Sequence, residues 1–211
     1  SSERRQLRDT LKRALRTPIP AEFTIELLLV GLILVGFLTQ VFTGILLTLY
    51  YQPSPVTVAD SVQFIMRDVS WGWLVRGLHH WSASALIVLC ALHLLHGLLL
   101  GRYRFGNAAA WYVGWVVLVL VTMLAFTGDL LLWDNQAYWR VERLLAGVEA
   151  LPSFGPSLAT ILRGGTQVCA TTLSRTYSLH TMFAPWLVWM LLLTNAALFI
   201  ARIRRRIGGL A

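Results

Sequence analysis

The segment WLVRGLHHWSASALIVLCALHLLHGLLL, residues 73–100, decides the fold. It is apolar over more than the roughly 20 residues a helix needs to cross the hydrocarbon core of a bilayer. Its only formally charged residue, Arg76, lies near one end. Two of its histidines, His79 and His93, are separated by close to four helical turns. Both side chains therefore leave nearly the same face, about 21 Å apart along the axis. Ionisable groups inside a membrane are costly and usually mark functional positions.

Three further stretches are long enough to span: Phe23–Tyr51, Ala108–Trp133 and Tyr177–Ile203. The composition agrees. Only 13% of the 211 residues are charged, against about 25% in an ordinary soluble domain, and 56% are hydrophobic. The expected fold is therefore all-α, an integral membrane four-helix bundle over residues 20–211. Nine Trp and six Tyr suit interfacial belts. Cys90 and Cys169 form no CxxC or CxxCH pattern, which excludes a zinc framework and c-type haem attachment. The segment ahead of Pro20 is charged rather than apolar, unlike a cleavable signal peptide.

The formal net charge of +8 raises nucleic acid as a partner, but the placement of the charges excludes it. Arg4, Arg5, Arg8, Lys12, Arg13 and Arg16 precede the first span, Arg102 and Arg104 join the second to the third, and Arg202, Arg204, Arg205 and Arg206 close the fourth. All twelve fall on one side. By the positive-inside rule, both termini lie on the cytoplasmic (N) side of a bacterial inner or equivalent energy-transducing membrane. Leu7, Leu11 and Leu15 recur among the first basic residues, so segment 1–19 reads as an amphipathic helix on the N-side lipid surface, ended by Pro18 and Pro20. A docking helix for a partner is the alternative. The long connection from Asp134 to Thr176, on the opposite (P) side, carries two short surface helices, near Gln136–Leu145 and Ser157–Leu162.

Neutral imidazole is a standard axial ligand for haem iron. His79 near the P side and His93 near the N side suit two haems stacked across the membrane. His180, at the P-side start of the fourth span, lies at the depth of His79, so the two can clamp one haem. His80 points about 100° away from His79, and His96 lies near the N-side surface. Both read as structural or surface residues. Glycines give a second signal, since a haem between helices needs backbone free of side chains. Gly44 and Gly128 lie at the P-side depth, Gly31 and Gly114 at the N-side depth. Close helix packing through small residues is the competing explanation.

At this point the chain resembles cytochrome b of the quinol–cytochrome c oxidoreductases, in its short, split (cytochrome b6-like) form. The segments that carry the resemblance are YYQPSPVTVADSVQFIM (50–66), GWLVRGLHHWSAS (72–84), ALHLLH (91–96), FTGDLLLWDNQAYW (126–139) and LSRTYSLHTMFAP (173–185). The resemblance implies haem b as cofactor, with His79 and His180 on the P-side iron and His93 on the N-side iron. It places Arg76 and Arg175 near the P-side haem propionates, where a guanidinium–carboxylate pair is apt. It also implies electron flow from quinol oxidation at the P side through two haems to a quinone at the N side.

The departures are as informative. The second N-side ligand of the family lies about four helical turns after His180, at Thr194 or Asn195, and neither is an ordinary haem ligand. The early glycine of the first helix is Val30. The aromatic residue usual after Gly128 is Asp129, the proline before the P-side Trp is Leu132, and the basic residue after the first ligand is His80. The cysteine that carries an extra covalent haem in the split form falls at Leu28, so none is expected. The N-side haem is thus expected to be altered or missing: absent, five-coordinate on His93 with Asn195 hydrogen-bonding nearby, or completed by His96 or another chain.

No dinucleotide motif, phosphate loop or iron–sulfur cysteine set is present, and no catalytic residue is assigned. The leading reading is an electron-transfer subunit, inactive alone, of a hetero-oligomeric and dimeric bc-type complex. Its partners by resemblance are quinone, a second membrane subunit supplying the quinol-site helices, a Rieske protein and a c-type cytochrome. The competing reading is a haem-bearing membrane anchor that links another dehydrogenase to the quinone pool. A third is a structural bundle with no redox role.

Overall fold

The computed structural model describes residues 21–104 and 108–208. The expected surface helix 1–19 lies outside the described residues. Helices follow one another: α1 (Ala21–Thr48), α2 (Val58–Arg67), α3 (Gly72–Leu99), α4 (Ala108–Leu130), α5 (Asn135–Glu149), α6 (Gly155–Arg163), α7 (Ala170–Ser178), a π-helical turn (Leu179–Phe183) and α8 (Ala184–Gly208). No strand occurs among the described residues. Four segments are long and apolar enough to cross a membrane: Thr24–Thr48, Gly72–Leu99, Ala108–Leu130 and Ala170–Arg202.

These spans close into a ring in which α1 packs on α3, α3 on α4 and α4 on α8. The centre is built from a simple device. Each span contributes two buried residues one turn apart: Ile33 and Phe37, Leu86 and Cys90, Val117 and Val121, Val188 and Leu192. Residues at i and i+4 share a face, so each pair forms a short inward stripe. The opposite faces are also apolar. Leu28, Val35 and Phe42, recurring every two turns in α1, are all more than half exposed. Outside as well as inside is hydrophobic, which is the pattern of helices solvated by lipid.

Beyond the C-terminal end of α4, α5 and α6 pack on each other and on that end through Leu130, Ala137, Val141, Leu145, Ala159 and Val168. Asp134 caps α5 by accepting from the Ala137 N–H at 2.7 Å, and Asp129 pairs with Arg140 at 3.3 Å. Buried Arg163 ties α6 to α5 through Glu149 at 2.9 Å. Gly164 ends α6 at φ +81°, where a Cβ would also meet Thr171 Cγ2 at 2.5 Å. Both expected surface helices are therefore present and longer than the sequence indicates. The helix α2 has no counterpart in the sequence reading. Its buried Val58, Ser61 and Ile65 follow helical spacing around a small polar residue, a weak signal in so short a segment.

The opposite end of the bundle, where α1 begins and α8 ends, holds a feature the sequence reading passes over. Glu26, in the apolar run of α1, is 3% exposed. Its carboxylate pairs with Arg102, in the turn after α3, and accepts from Arg202 Nη1 of α8 at 2.8 and 3.1 Å. Removing one partner of a buried ion cluster leaves uncompensated charge and costs about 3–5 kcal/mol. Glu26→Gln is therefore expected to lower the thermal unfolding midpoint of the detergent-solubilised protein markedly. An unchanged midpoint would show that the cluster is solvated rather than buried.

Candidate functional site

His79 and His180 come from different spans and meet. Their ring centroids are 6.3 Å apart, with the planes inclined at 67°. Each ring rests against a Thr-Gly pair of a neighbouring helix. A Cβ on Gly44 of α1 would lie 3.2 Å from His79 Cε1, and one on Gly128 of α4 would lie 3.0 Å from His180 Cε1. The adjacent hydroxyls reach the same rings. Thr43 Oγ1 is 2.9 Å from His79 Nδ1, and Thr127 Oγ1 is 3.0 Å from His180 Nδ1. Gly44 and Gly128 thus make room for the imidazoles themselves, a closer role than the clearance read from their depth. Gln40 fastens α1 to α3 beside the pair, its Nε2 donating to the His79 carbonyl at 2.5 Å and to Ser82 Oγ at 2.6 Å.

His180 stands in the π-helical turn. Within it the Ala184 N–H bonds the Leu179 carbonyl, five residues back instead of four. Pro185 supplies the reason: it has no N–H to give, and its ring clashes with the carbonyl four residues earlier. Widening one turn relieves the conflict, and such single turns gather at functional positions. The turn takes up one extra residue. Hence Asn195, rather than Thr194, faces inward on the fourth span, at the depth where His93 faces inward on α3. Thr194 is exposed, its hydroxyl turned back to the Met190 carbonyl at 2.9 Å.

Tyr51 stacks on Tyr177 at 5.5 Å between centroids and donates to the Leu131 carbonyl at 2.7 Å. Burial, and then the neighbouring Tyr177, raise the Tyr51 phenol above its ordinary pKa. Arg76 is half-buried, with Nη1 3.8 Å from Met66 Sδ. Arg175 is exposed beside Gly164. Neither has an acidic partner among the described residues. His80 is exposed, against Trp81.

At the depth of His93, a cavity is lined by Val30, Cys90, His93, Gly114, Leu192 and Asn195, among others. His93 Nδ1 is buried without a hydrogen-bond partner. Asn195 does not bond to it: its Nδ2 donates to the Ala110 carbonyl of α4 at 3.1 Å. The position of a Gly114 Cβ lies 3.0 Å from Leu94 Cδ2. Gly31 is exposed, with nothing within 4 Å of where its Cβ would sit, and Val30 takes the inward position beside it. His96 is not a plain surface residue. It lines a second, adjoining cavity with His93, Trp111 and the Glu26–Arg102–Arg202 cluster.

A ring of four lipid-facing spans that buries two histidines face to face defines an integral membrane helical bundle with an internal cofactor position. The sequence matches the family described as Cytochrome b/b6/petB over residues 15–203, and the chain belongs to this cytochrome b/b6 family. It is similar to cytochrome b6 of Acaryochloris marina, at 39% identity over 177 residues, covering 84% of this chain and 82% of the relative. Cytochrome b6 of Synechococcus sp. RCC307 is 37% identical over 194 residues, covering 92% and 89%. Among solved structures, a chain of a hyperthermophilic respiratory Complex III matches with TM-score 0.73 and 30% identity. That match covers 82% of this chain, which spans about half (47%) of the solved one. As a member of the family the chain is an integral membrane haem b protein of electron transport.

The residues of the His79–His180 site fit that cofactor. An imidazole nitrogen binds a transition metal at about 2 Å, so two imidazoles on one iron place their centroids about 6 Å apart, as found. At the cavity that His93 lines, the fit stops at that one imidazole. Asn195 brings an amide already engaged with α4, and the described residues offer no second imidazole on the face opposite His93.

Proposed function

We propose that the chain is the haem b electron-transfer subunit of a cytochrome bc-type quinol oxidoreductase, with one bis-histidine haem near the P side and an altered or missing N-side haem. The observation that carries this reading is the His79–His180 pair, held by two other helices at the spacing of a shared metal ion. The haem supplies a one-electron carrier. His79 and His180 would hold it through their ring nitrogens, and a pair of imidazoles would suit the iron to electron transfer rather than to ligand binding. Arg76 and Arg175, free of acidic partners among the described residues, would pair with its propionates. The apolar belt of the mid-bundle keeps water from the iron ligands. An Asn carbonyl is a poor iron ligand beside imidazole, so the N-side position offers His93 alone. The relatives, a set of cytochromes b6 and a Complex III chain, support a hetero-oligomeric bc-type complex with quinone as partner. A second membrane subunit, a Rieske-type protein and a c-type cytochrome complete it in this reading.

The test is the haem-to-protein ratio of the purified complex, with dithionite-reduced spectra before and after carbon monoxide. One low-spin, CO-insensitive b haem per chain is expected. Two such haems would overturn the N-side reading, and none would overturn the whole assignment.

This reading also puts both termini on the N side, with residues 20–211 as one haem domain behind the 1–19 surface helix. A native probe exists. Cys169 is exposed just before the fourth span, whereas Cys90 is buried. Hydrogen bonds from Thr171, then Thr172, hold the Cys169 thiol below its ordinary pKa, which favours the reactive thiolate. A membrane-impermeant maleimide is expected to label intact cells or right-side-out vesicles at Cys169. Labelling only from the cytoplasmic side would reverse the topology.

A further inference from the structure

The two histidines are received in the same way, and the protons in each contact can be counted. The Thr43 hydroxyl donates to the Thr39 carbonyl at 2.6 Å, with the Gln40 carbonyl at 3.3 Å. The Thr127 hydroxyl donates to the Met123 carbonyl at 2.9 Å, with the Leu124 carbonyl at 3.0 Å. A hydroxyl has one proton and two lone pairs. An imidazole that binds iron through Nε2 carries its proton on Nδ1, and each Oγ1, with its own proton on the helix carbonyl, then accepts from the Nδ1 beside it, at 2.9 and 3.0 Å. In that tautomer Nε2 presents its lone pair.

Back-bonded threonines are common in membrane helices and usually serve only to satisfy the hydroxyl. Here two of them, on α1 and α4, each precede the glycine that admits the ring and each meet the same ring atom. We propose that Thr43 and Thr127 are paired positioning residues that fix the tautomer of His79 and His180 and set the reduction potential of the iron they ligate. The proposal rests on the axial-ligand reading above. The sign follows from the direction of donation. An Nδ1–H bonded to an acceptor makes the imidazole a more basic ligand. A more basic ligand pair favours ferric over ferrous iron and holds the potential low.

The experiment uses the purified complex with Thr43→Val, Thr127→Val, both together, and the two serine variants. Valine keeps the shape and removes the acceptor. The readouts are the midpoint potential of the b-type α band and the low-spin g values. Each valine is expected to raise the potential, by up to about a tenfold shift in the oxidised-to-reduced ratio, which is about 59 mV for one electron. The double variant should shift further, and serine should restore the original value. Loss of haem in the valine variants with retention in the serine variants also supports positioning by the hydroxyl. An unchanged potential and unchanged g values in the double valine variant would overturn the proposal. Loss of haem in valine and serine variants alike would reduce the threonines to packing and overturn it too. A full low-spin signal in His180→Ala would instead refute the ligand assignment itself, whatever the threonine variants do.

Discussion

Replacing His180 with alanine is expected to abolish the low-spin b-type signal, and His79→Ala is expected to do the same. The effect should be all or none, because low spin depends on two strong-field imidazoles acting together. Loss of either ligand also leaves Thr43 or Thr127 facing a gap beside its glycine. Single Leu→Ala voids in a packed core cost about 3–5 kcal/mol, and a vacated cofactor position is larger, so the bundle should unfold at lower temperature as well. His80→Ala is the internal control. His80 is exposed, and its removal should leave the reduced spectrum unchanged. A His180→Ala protein that kept its full low-spin band would sink the assignment.

The second large effect is a gain. Asn195→His is expected to raise the number of low-spin, CO-insensitive b haems from one to two per chain. Three observations favour this result. Asn195 lies on the inward face of α8, beside the cavity that His93 lines. His93 Nδ1 has no partner to lose. Gly114 is still present on α4, and its Leu94 contact is the tip of a flexible side chain. The count of low-spin haem rises whether the native position is empty or holds a five-coordinate haem, since a second imidazole completes either. Thr194→His is the matched control, because Thr194 is exposed and its imidazole would enter lipid. A haem count unchanged in Asn195→His would show that Asn195 is not what keeps a second low-spin haem out.

Much of this architecture was legible because membrane helices write their length and hydropathy directly into sequence. The spans read from apolar runs lie within a few residues of α1, α3 and α4. The fourth starts earlier, at Ala170, because polar α7 continues into it through the π turn. The depths of His79 and His180 followed from counting residues along helices. What could not be counted was phase. The π turn at Leu179–Phe183 adds one residue to the fourth span, so sequence left Thr194 and Asn195 undecided and the structure separates them. Adjacent residues in a helix differ by about 100°, which is why Gly31 and Val30 exchange roles. The bond between Asn195 and Ala110 joins α8 to α4 across a distance that no local pattern records. Glu26 was the one legible signal passed over: an acid inside an apolar run needs a partner.

Glu26 and Arg202 are 176 residues apart in the chain. The acid enters the membrane with the first span, and the base that completes its neutralisation arrives with the last. Domains and segments generally organise in the order of their synthesis, so during biogenesis Arg102 is made well before α8 brings Arg202 to Glu26. His180 also belongs to the last span. The same late arrival thus completes the charge cluster at one end of the bundle and brings the second imidazole to the other. The fourth span is the wall that carries His180 and Arg202, while the Thr43 and Gly44 that receive His79 stand on α1. The finished ring is a structure that its own final element shuts.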